Sequence, residues 1–276
     1  MLIFLTFAAF TVLGLIGCAL QILAVRSSVS PLNSGEEGTL PRSFPSVSIL
    51  KPLKGLDDNL FDNLESFCKQ DYPEYEIIFS LQDHNDPAYK IARKIKDKYP
   101  QLDISLLVEP CDEGLNPKVN NLIPAYKIAK HQLILVSDSN VMVMRNYLRE
   151  ITIPMKEPGI GLVSNPIMGI GGRSLGAVLE NLHMNSFVIG GVSFLDRYLK
   201  MPCVVGKSML MRKEDLEAIG GFGAVKDVLA EDYLIGKMMH EQGKGVVLSR
   251  HIIENVNHYW GIGKFLNRHT RWGKLR

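Results

Sequence analysis

The segment Gln82–Pro87 holds the first side chains that can do chemistry, and it follows an apolar run that predicts a strand. Asp86 is suited to cap the next helix, with Pro87 at the first helical position. Asp83 is not needed for that cap. A carboxylate at the end of a strand of an α/β sheet can accept hydrogen bonds from a nucleotide's base or ribose. Asp83 is therefore a candidate nucleotide-binding residue.

A second acidic turn, Ser137–Asn140, follows the apolar run Leu133–Val136. Asp138 and Asn140 place two oxygen ligands two residues apart. Such a pair can hold Mg²⁺ or Mn²⁺ against a diphosphate. An ordinary turn after a strand has the same sequence, so both interpretations stand at this stage.

Two adjacent acids, Glu231 and Asp232, open an amphipathic segment that predicts a helix over Tyr233–Gln242. Acids in a first turn are ordinary partners of the helix dipole. Inside a catalytic site, a carboxylate at this place would serve as a general base.

A loop beginning at Gly114 opens another predicted helix, Asn116–Lys130, with Lys118 near its start. The free N–H groups and the dipole of a helix start favour an anion and disfavour a lysine. A bound phosphate would remove that conflict. Lys118 is therefore a candidate ligand of a nucleotide's phosphate groups.

Near the end of the sequence, Arg268 and Arg271 lie three residues apart and Trp272 follows them. On a helix the two arginines share a face. Guanidinium groups suit phosphate oxygens, and an indole ring is a platform for a sugar or a base. The alternative is a basic helix end beside a membrane, which Lys274 and Arg276 also fit.

Alternating strand and helix patterns separate these residues. Strands are predicted at Val47–Leu50, Tyr75–Leu81, Ile104–Val108 and Leu133–Ser137, and helices at Asp58–Lys69 (capped by Asp57 or Asp58), Pro87–Tyr99, Asn116–Lys130 and Tyr233–Gln242. This order predicts an α/β domain with a mostly parallel sheet covered on both faces. The apolar segment Leu179–Leu199 fits either a core helix or a helix on a membrane surface.

Residues 1–25 contain no charged residue and no histidine. As a helix they would extend about 37 Å, more than the ~30 Å hydrocarbon core of a bilayer. A signal peptide would begin with basic residues, and none is present. We expect a single transmembrane anchor, with the rest of the chain in the cytosol because the first cations, including Arg26 and Lys51, follow the helix. Residues 26–46, rich in Ser, Gly and Pro, predict a linker, and residues 47–276 the folded domain.

Composition excludes several classes of protein. The chain has 276 residues, 46% of them hydrophobic, with 31 Lys and Arg against 29 Asp and Glu, so it is neither disordered nor held on nucleic acid by bulk charge. Its four cysteines are far apart in the sequence, which favours a reducing compartment and predicts neither a zinc knuckle nor a disulfide framework.

Taken in order, these segments resemble the ceramide glucosyltransferases of glycosyltransferase family 21, inverting nucleotide-sugar transferases of the GT-A fold. The resemblance rests on the N-terminal apolar segment and on Leu50–Leu60, Gln82–Ala88, Gly114–Leu122, Ser137–Asn140, Met209–Leu216, Ala230–Tyr233 and Arg268–Arg276. It implies a mixed, mostly parallel sheet flanked by helices. It also implies further membrane segments after the C-terminal motif. The present sequence, which ends at Arg276, is then either truncated or a member without them.

The resemblance implies a role for each candidate residue. Asp83 contacts the uridine, Asp138 holds the diphosphate through a divalent cation, and Asp232 is the catalytic base. Lys118 supports the nucleotide. The remaining candidates fill the family's (Q/R)-x-x-R-W motif near the diphosphate and the acceptor: Arg268, Arg271 and Trp272.

The implied reaction moves glucose from UDP-glucose to the primary hydroxyl of ceramide, with Mg²⁺ or Mn²⁺ as cofactor. Two alternatives remain: transfer to another membrane lipid, such as a hopanoid or diacylglycerol, and a catalytically silent UDP-sugar-binding membrane module. A processive polysaccharide synthase is disfavoured, because it needs a channel of several membrane helices and this sequence predicts one.

Overall fold

Strands and helices alternate through most of the computed structural model, which describes residues 1–28 and 44–274. Most of the predicted linker lies outside the described residues. The strands are β1 (Val47–Pro52), β2 (Tyr75–Leu81), β3 (Asp103–Val108), β4 (Leu133–Ser137), β5 (Val141–Met142), β6 (Ile160–Ser164), β7 (Ile167–Ile170), β8 (Ser208–Arg212), β9 (Gly245–Leu248) and β10 (Ile253–Val256). The helices are α1 (Leu2–Ser28), α2 (Leu60–Cys68), α3 (Pro87–Lys98), α4 (Pro117–Ile128), α5 (Tyr147–Thr152), α6 (Leu175–His183), α7 (Ile189–Phe194), α8 (Lys213–Ala218), α9 (Glu231–Glu241) and α10 (Ile262–Gly273).

A seven-stranded sheet with the order β3-β2-β1-β4-β8-β6-β9 forms the centre of the domain. The first four strands are parallel, β8 is antiparallel to both of its neighbours, and β9 is parallel to β6. This arrangement confirms the mixed, mostly parallel sheet that the sequence predicts. A smaller sheet, β5-β10-β7, lies beside it and leads into α10.

The large sheet is buried on both faces, as the continuous apolar runs of its strands require. Ile49 pairs with Ile77 and lies in one hydrophobic cluster, whereas the next residue, Leu50, pairs with Ile78 and lies in another. Successive residues of a strand point to opposite faces, so one strand contributes to both layers of the core.

Acids at the starts of the early helices confirm one capping prediction and overturn another. Asp86 caps α3 by accepting from the N–H of Ala88 at 2.8 Å, as expected. Asp57 and Asp58 do not cap α2, because the N-cap is Asn59, which has left-handed backbone geometry and no side-chain capping bond. The Asp58 carboxylate instead accepts the N–H of His258 at 2.7 Å, and thereby ties this loop to the C-terminal part of the domain.

Among residues 1–28 and 44–274, helix α1 packs on the rest of the chain mainly near its C-terminal end. Its residues are largely exposed as far as Ile16, whereas Ala24 is fully buried. It is long and apolar enough to cross a membrane. Its partner is the helical run Leu175–Leu199, in which two π-helical segments flank α7.

The run Leu175–Leu199 is neither wholly core nor wholly surface. Met184 is buried, but Leu182 and Phe187 on the same run are 62% and 54% exposed. The run therefore has an inner face packed on the domain and an outer apolar face.

Candidate active site

Two adjoining cavities lie at the edge of the large sheet where β4 ends. The larger has a volume of about 500 Å³ and the smaller about 240 Å³. Lys118, Asp138 and Lys207 line both cavities. The larger cavity is also lined by Asn116 at the start of α4 and by polar residues of α9 and α10, which include Glu231, Asp232, Arg268, Arg271 and Trp272. The structure therefore brings together all but one of the residues with predicted roles.

The Lys118 ammonium joins two carboxylates and a carbonyl at the centre of this site. Its Nζ lies 2.9 Å from Asp138 Oδ1 and 3.0 Å from Glu231 Oε1, and it donates to the Gly206 carbonyl at 2.8 Å. Burial disfavours the charged amine, but the two carboxylates outweigh burial and raise the pKa of Lys118. Lys118 is thus a fixed positive charge at pH 7.

The start of α4 is capped by a side chain, and a phosphate at Lys118 stays a prediction. The Asn116 carboxamide caps the helix by accepting from the N–H groups of Lys118 and Val119 at 3.0 and 3.4 Å. The two carboxylates that contact Lys118 offset the unfavourable effect of the helix dipole on its charge. Asn116 also donates to Glu231 Oε2 at 3.0 Å and links α4 to α9.

Lys207 is a functional candidate that the sequence analysis missed. Its Nζ donates to Asn140 Oδ1 at 2.6 Å and to Asp138 Oδ2 at 3.2 Å. Strand β8 runs antiparallel to β4 and pairs Ser208 with Ser137, so the residue just before β8 lies beside the residue just after β4. Only that long-range pairing could have pointed to Lys207, because no local motif surrounds it.

Lys51 is a second buried amine beside the acidic turn. Its Nζ donates to the Asp138 carbonyl at 2.6 Å and lies 3.8 Å from the centre of the Phe67 ring. Burial lowers the pKa of Lys51 to about 7. Lys51 therefore fixes the backbone of the turn rather than the Asp138 carboxylate.

The Asp138 carboxylate is strongly acidic because of its neighbours. Burial alone would raise its pKa, but the ammonium groups of Lys118 and Lys207 lower the pKa of Asp138 well below its usual range. Asp138 is therefore a permanent negative charge that faces both cavities.

Asp138 and Asn140 are the residues that would hold a divalent cation. Mg²⁺ is often bound by one or two protein oxygens, with phosphate oxygens and water completing its shell. The pair fits that role. No group of three or more His, Cys, Asp or Glu side chains able to hold a metal occurs among residues 1–28 and 44–274. Lys207 contacts the same two side chains.

Asp232 lies at the first turn of α9 and faces the larger cavity. Its Oδ2 accepts the N–H of Gly206 at 3.0 Å, and its Oδ1 accepts the N–H of Tyr233 at 2.8 Å. A Cβ atom at position 206 would clash with the Asp232 carboxylate, so glycine allows this close approach. Burial, and then the negative charge of Glu231, raises the pKa of Asp232. A carboxyl group in this environment is a better proton acceptor than one in water.

The arginine and tryptophan motif lies on α10 and lines the larger cavity together with Asp138. The guanidinium carbon of Arg268 lies 5.5 Å from the centre of the Trp260 ring and 4.6 Å from that of the Trp272 ring. Its Nη1 is 3.2 Å from Oε1 of Glu180, a fully buried residue of α6. Arg271 and Trp272 line the same cavity. The three motif residues therefore lie at the larger cavity. This position is compatible with a basic helix end, the other interpretation that the sequence allows.

Glu180, which the sequence analysis did not single out, is the residue that positions Arg268. We expect Glu180→Gln to lower kcat for the sugar transfer that the sequence predicts roughly ten- to a hundredfold. The Arg268 guanidinium would lose its buried partner and shift away from the cavity. Glu217→Gln, the same change at a carboxylate that accepts the Tyr126 hydroxyl on the surface, is the control. If Glu180 acts through Arg268, the double variant with Arg268→Gln loses no more activity than Arg268→Gln alone, and additive losses would contradict this role.

Asp83 is the candidate that the structure leaves apart. It is exposed at the end of β2, its Oδ1 accepts the N–H of Asn85 at 2.9 Å, and it lines neither cavity. Its position at the carboxyl edge of the sheet agrees with the expected one, and contact with a nucleotide stays a prediction.

Comparison with known proteins shows the family. Residues 6–276 match the family described as Glycosyl transferase family 21. The chain belongs to this family. Ceramide glucosyltransferase 3 of Caenorhabditis elegans is 33% identical over 235 residues, which cover 85% of this chain and 51% of the relative. Ceramide glucosyltransferase 1 of the same organism is 30% identical over 280 residues, which cover 97% of this chain and 58% of the relative. The family 21 chain thus spans about half the length of the curated relatives it matches.

Solved structures show that the family 21 chain has the GT-A fold. The mannosyltransferase PcManGT from Pyrobaculum calidifontis, in complex with GDP-Man and Mn²⁺, has a TM-score of 0.61 at 17% identity, covering 95% of this chain and 71% of that one. GalNAc-T7 with UDP, GalNAc and Mn²⁺ has a TM-score of 0.57 at 13% identity, and the match covers 79% of this chain and 44% of that one. At these identities the likeness establishes the fold alone.

Proposed function

We propose that this chain is a membrane-bound inverting glycosyltransferase that moves glucose from UDP-glucose to the primary hydroxyl of ceramide. The observation that carries the proposal is the larger cavity. A carboxyl group with a raised pKa, Asp232, faces a cluster of cations there, and an apolar wall completes the cavity. The family and the ceramide glucosyltransferase relatives supply the choice of glucose and ceramide.

The diphosphate of the donor would lie where both cavities meet. Lys118 and Lys207 provide two ammonium groups at that place, and Arg271 lines the cavity beyond them. Negative charge builds on the leaving UDP during transfer, and fixed cations stabilise it. A divalent cation held by Asp138 and Asn140, as the Mn²⁺ of the GT-A neighbours suggests, would neutralise the same charge.

The acceptor hydroxyl needs a base, because an alcohol is a poor nucleophile at neutral pH. Asp232 takes the proton as the oxygen bonds to the anomeric carbon and the bond from that carbon to UDP breaks. Its N–H contacts with Gly206 and Tyr233 hold the carboxylate in one orientation. A single displacement inverts the anomeric centre, so an α-linked donor gives a β-linked glucoside.

The contact between α1 and α7 supports a lipid acceptor. About 20 helical residues cross the hydrocarbon core of a bilayer. Counted from Leu2, the crossing ends near Gln21, where the Gln21 side chain packs against Gly190 of α7. The run Leu175–Leu199 would therefore lie at the membrane surface. Its exposed apolar residues would face lipid while Val188 and Val192 line the larger cavity, which gives a ceramide a route to Asp232.

A product assay tests this proposal. The full chain in liposomes, with Mg²⁺ or Mn²⁺, is offered UDP-glucose or UDP-galactose against ceramide, diacylglycerol and a hopanoid. We expect β-glucosylceramide from UDP-glucose. A glycosylated hopanoid or diacylglycerol would assign another acceptor. Binding of UDP without any lipid product would favour a silent sugar-nucleotide-binding module.

The raised pKa of Asp232 predicts the acid side of the pH profile. Below that pKa the carboxyl group holds its proton and cannot act as a base, so kcat/KM should fall at a pH above that of an ordinary aspartate, about 4. Because the Glu231 charge contributes to the shift, Glu231→Gln should move the acid limb to lower pH. Profiles of both proteins measured at saturating metal check this, and coincident acid limbs would contradict it.

A further inference from the structure

The Lys207 ammonium contacts the two side chains that a divalent cation would use. It donates to Asn140 Oδ1 at 2.6 Å and to Asp138 Oδ2 at 3.2 Å, while Lys118 contacts the other carboxylate oxygen at 2.9 Å. Both oxygens of Asp138 are therefore engaged by ammonium groups. The Lys207 side chain is only 14% exposed, so water screens these contacts little.

A divalent cation and this ammonium cannot bind the same two oxygen atoms at full strength. The cation would share the electron density of these oxygens with the N–H bonds of Lys207, and its charge would repel the ammonium. The Lys207 ammonium, in turn, lines both cavities and already supplies positive charge where a diphosphate would lie.

We propose that Lys207 competes with the divalent cation for Asp138 and Asn140 and that its ammonium takes over part of the cation's role in holding the diphosphate. The role of Lys207 in holding the diphosphate rests on the function proposed above. Replacing Lys207 by a neutral side chain should then make metal binding tighter and nucleotide binding more dependent on metal.

Two binding titrations of the full chain in nanodiscs test the inference without relying on turnover. Binding of Mn²⁺ alone is measured from the loss of the free-ion electron paramagnetic resonance signal. Binding of UDP is measured by calorimetry in EDTA and in Mn²⁺. For Lys207→Met we expect Mn²⁺ to bind about tenfold more tightly, because the variant lacks the charge-assisted hydrogen bonds that compete for Asp138 and Asn140. We expect UDP to bind about tenfold more weakly in EDTA, because the variant lacks the charge-assisted hydrogen bond to the diphosphate. Mn²⁺ should restore UDP binding in this variant.

Controls separate competition from misfolding and from failure of the proposed function. Lys237→Met removes a surface ammonium near Glu241 and should change neither titration. Lys207→Gln, which keeps a hydrogen-bond donor, guards against a methionine variant that fails to fold. Unchanged Mn²⁺ affinity in both folded Lys207 variants would overturn the competition. If the wild-type chain bound no UDP in any condition, the proposed function would fail, while the Mn²⁺ titration would still support or overturn the competition by itself.

Discussion

Replacing Asp232 by Asn is expected to lower kcat for glucosyl transfer by roughly 10²–10⁴-fold, the usual contribution of a general base. The amide keeps the shape of the side chain and can still accept the N–H bond of Gly206. It cannot take a proton from the acceptor hydroxyl. Because the donor diphosphate is held by other residues, the affinity for UDP should change little. Single-turnover transfer from UDP-glucose and calorimetric binding of UDP measure the two effects separately.

The matched control for Asp232→Asn is Asp227→Asn in the loop before α9. Asp227 is exposed and accepts the N–H of Leu115 at 3.0 Å, so the same chemical change there should leave kcat within about twofold, as expected of a surface substitution. Undiminished turnover of Asp232→Asn would show that another group accepts the proton. Equal loss of UDP affinity and turnover would show that Asp232 holds the donor instead.

The sequence was sufficient to predict the first half of the sheet because its signals are local. Buried parallel strands appear as continuous apolar runs, and helix starts carry recognisable caps, as at Asp86. Lys118, Asp138 and Asp232 were chosen as candidates for the same reason: each lies directly after a strand or in the first turn of a helix, where ligands of α/β proteins bind. Arg268, Arg271 and Trp272, in the second half of α10, were chosen from their spacing and residue types.

The parts that were missed depend on contacts between distant segments. Lys207 joins the site because β8 lies antiparallel beside β4, and Glu180 because α6 packs against α10. Asp57 and Asp58 were wrongly expected to cap α2, because the hydroxyl of Ser139 and the backbone of His258 compete for their carboxylates. No local pattern specifies these partners, and tertiary contacts override local capping preference in both cases.

Lys118→Met is expected to impair folding and donor binding together. The lysine neutralises Asp138 and Glu231, and its side chain is only 22% exposed. Removing one member of a buried ionic network leaves uncompensated charge and costs about 3 kcal/mol of unfolding free energy. The pKa of Asp138, now held down by Lys207 alone, should rise. Urea unfolding measures the stability loss, and UDP calorimetry the loss of affinity.

The variant Lys127→Met makes the same change on the same helix, at an exposed lysine 3.3 Å from Glu113 on the surface. Exposed ion pairs contribute about 0–1 kcal/mol, so this control should unfold almost like the wild type and bind UDP equally well. A Lys118→Met protein that was as stable as this control but bound no UDP would show that Lys118 acts on the nucleotide alone. A protein that lost stability but kept its UDP affinity would restrict Lys118 to organising the two carboxylates. We expect Lys118→Met to lose both stability and UDP affinity, because the same ammonium group neutralises two buried carboxylates and binds the diphosphate.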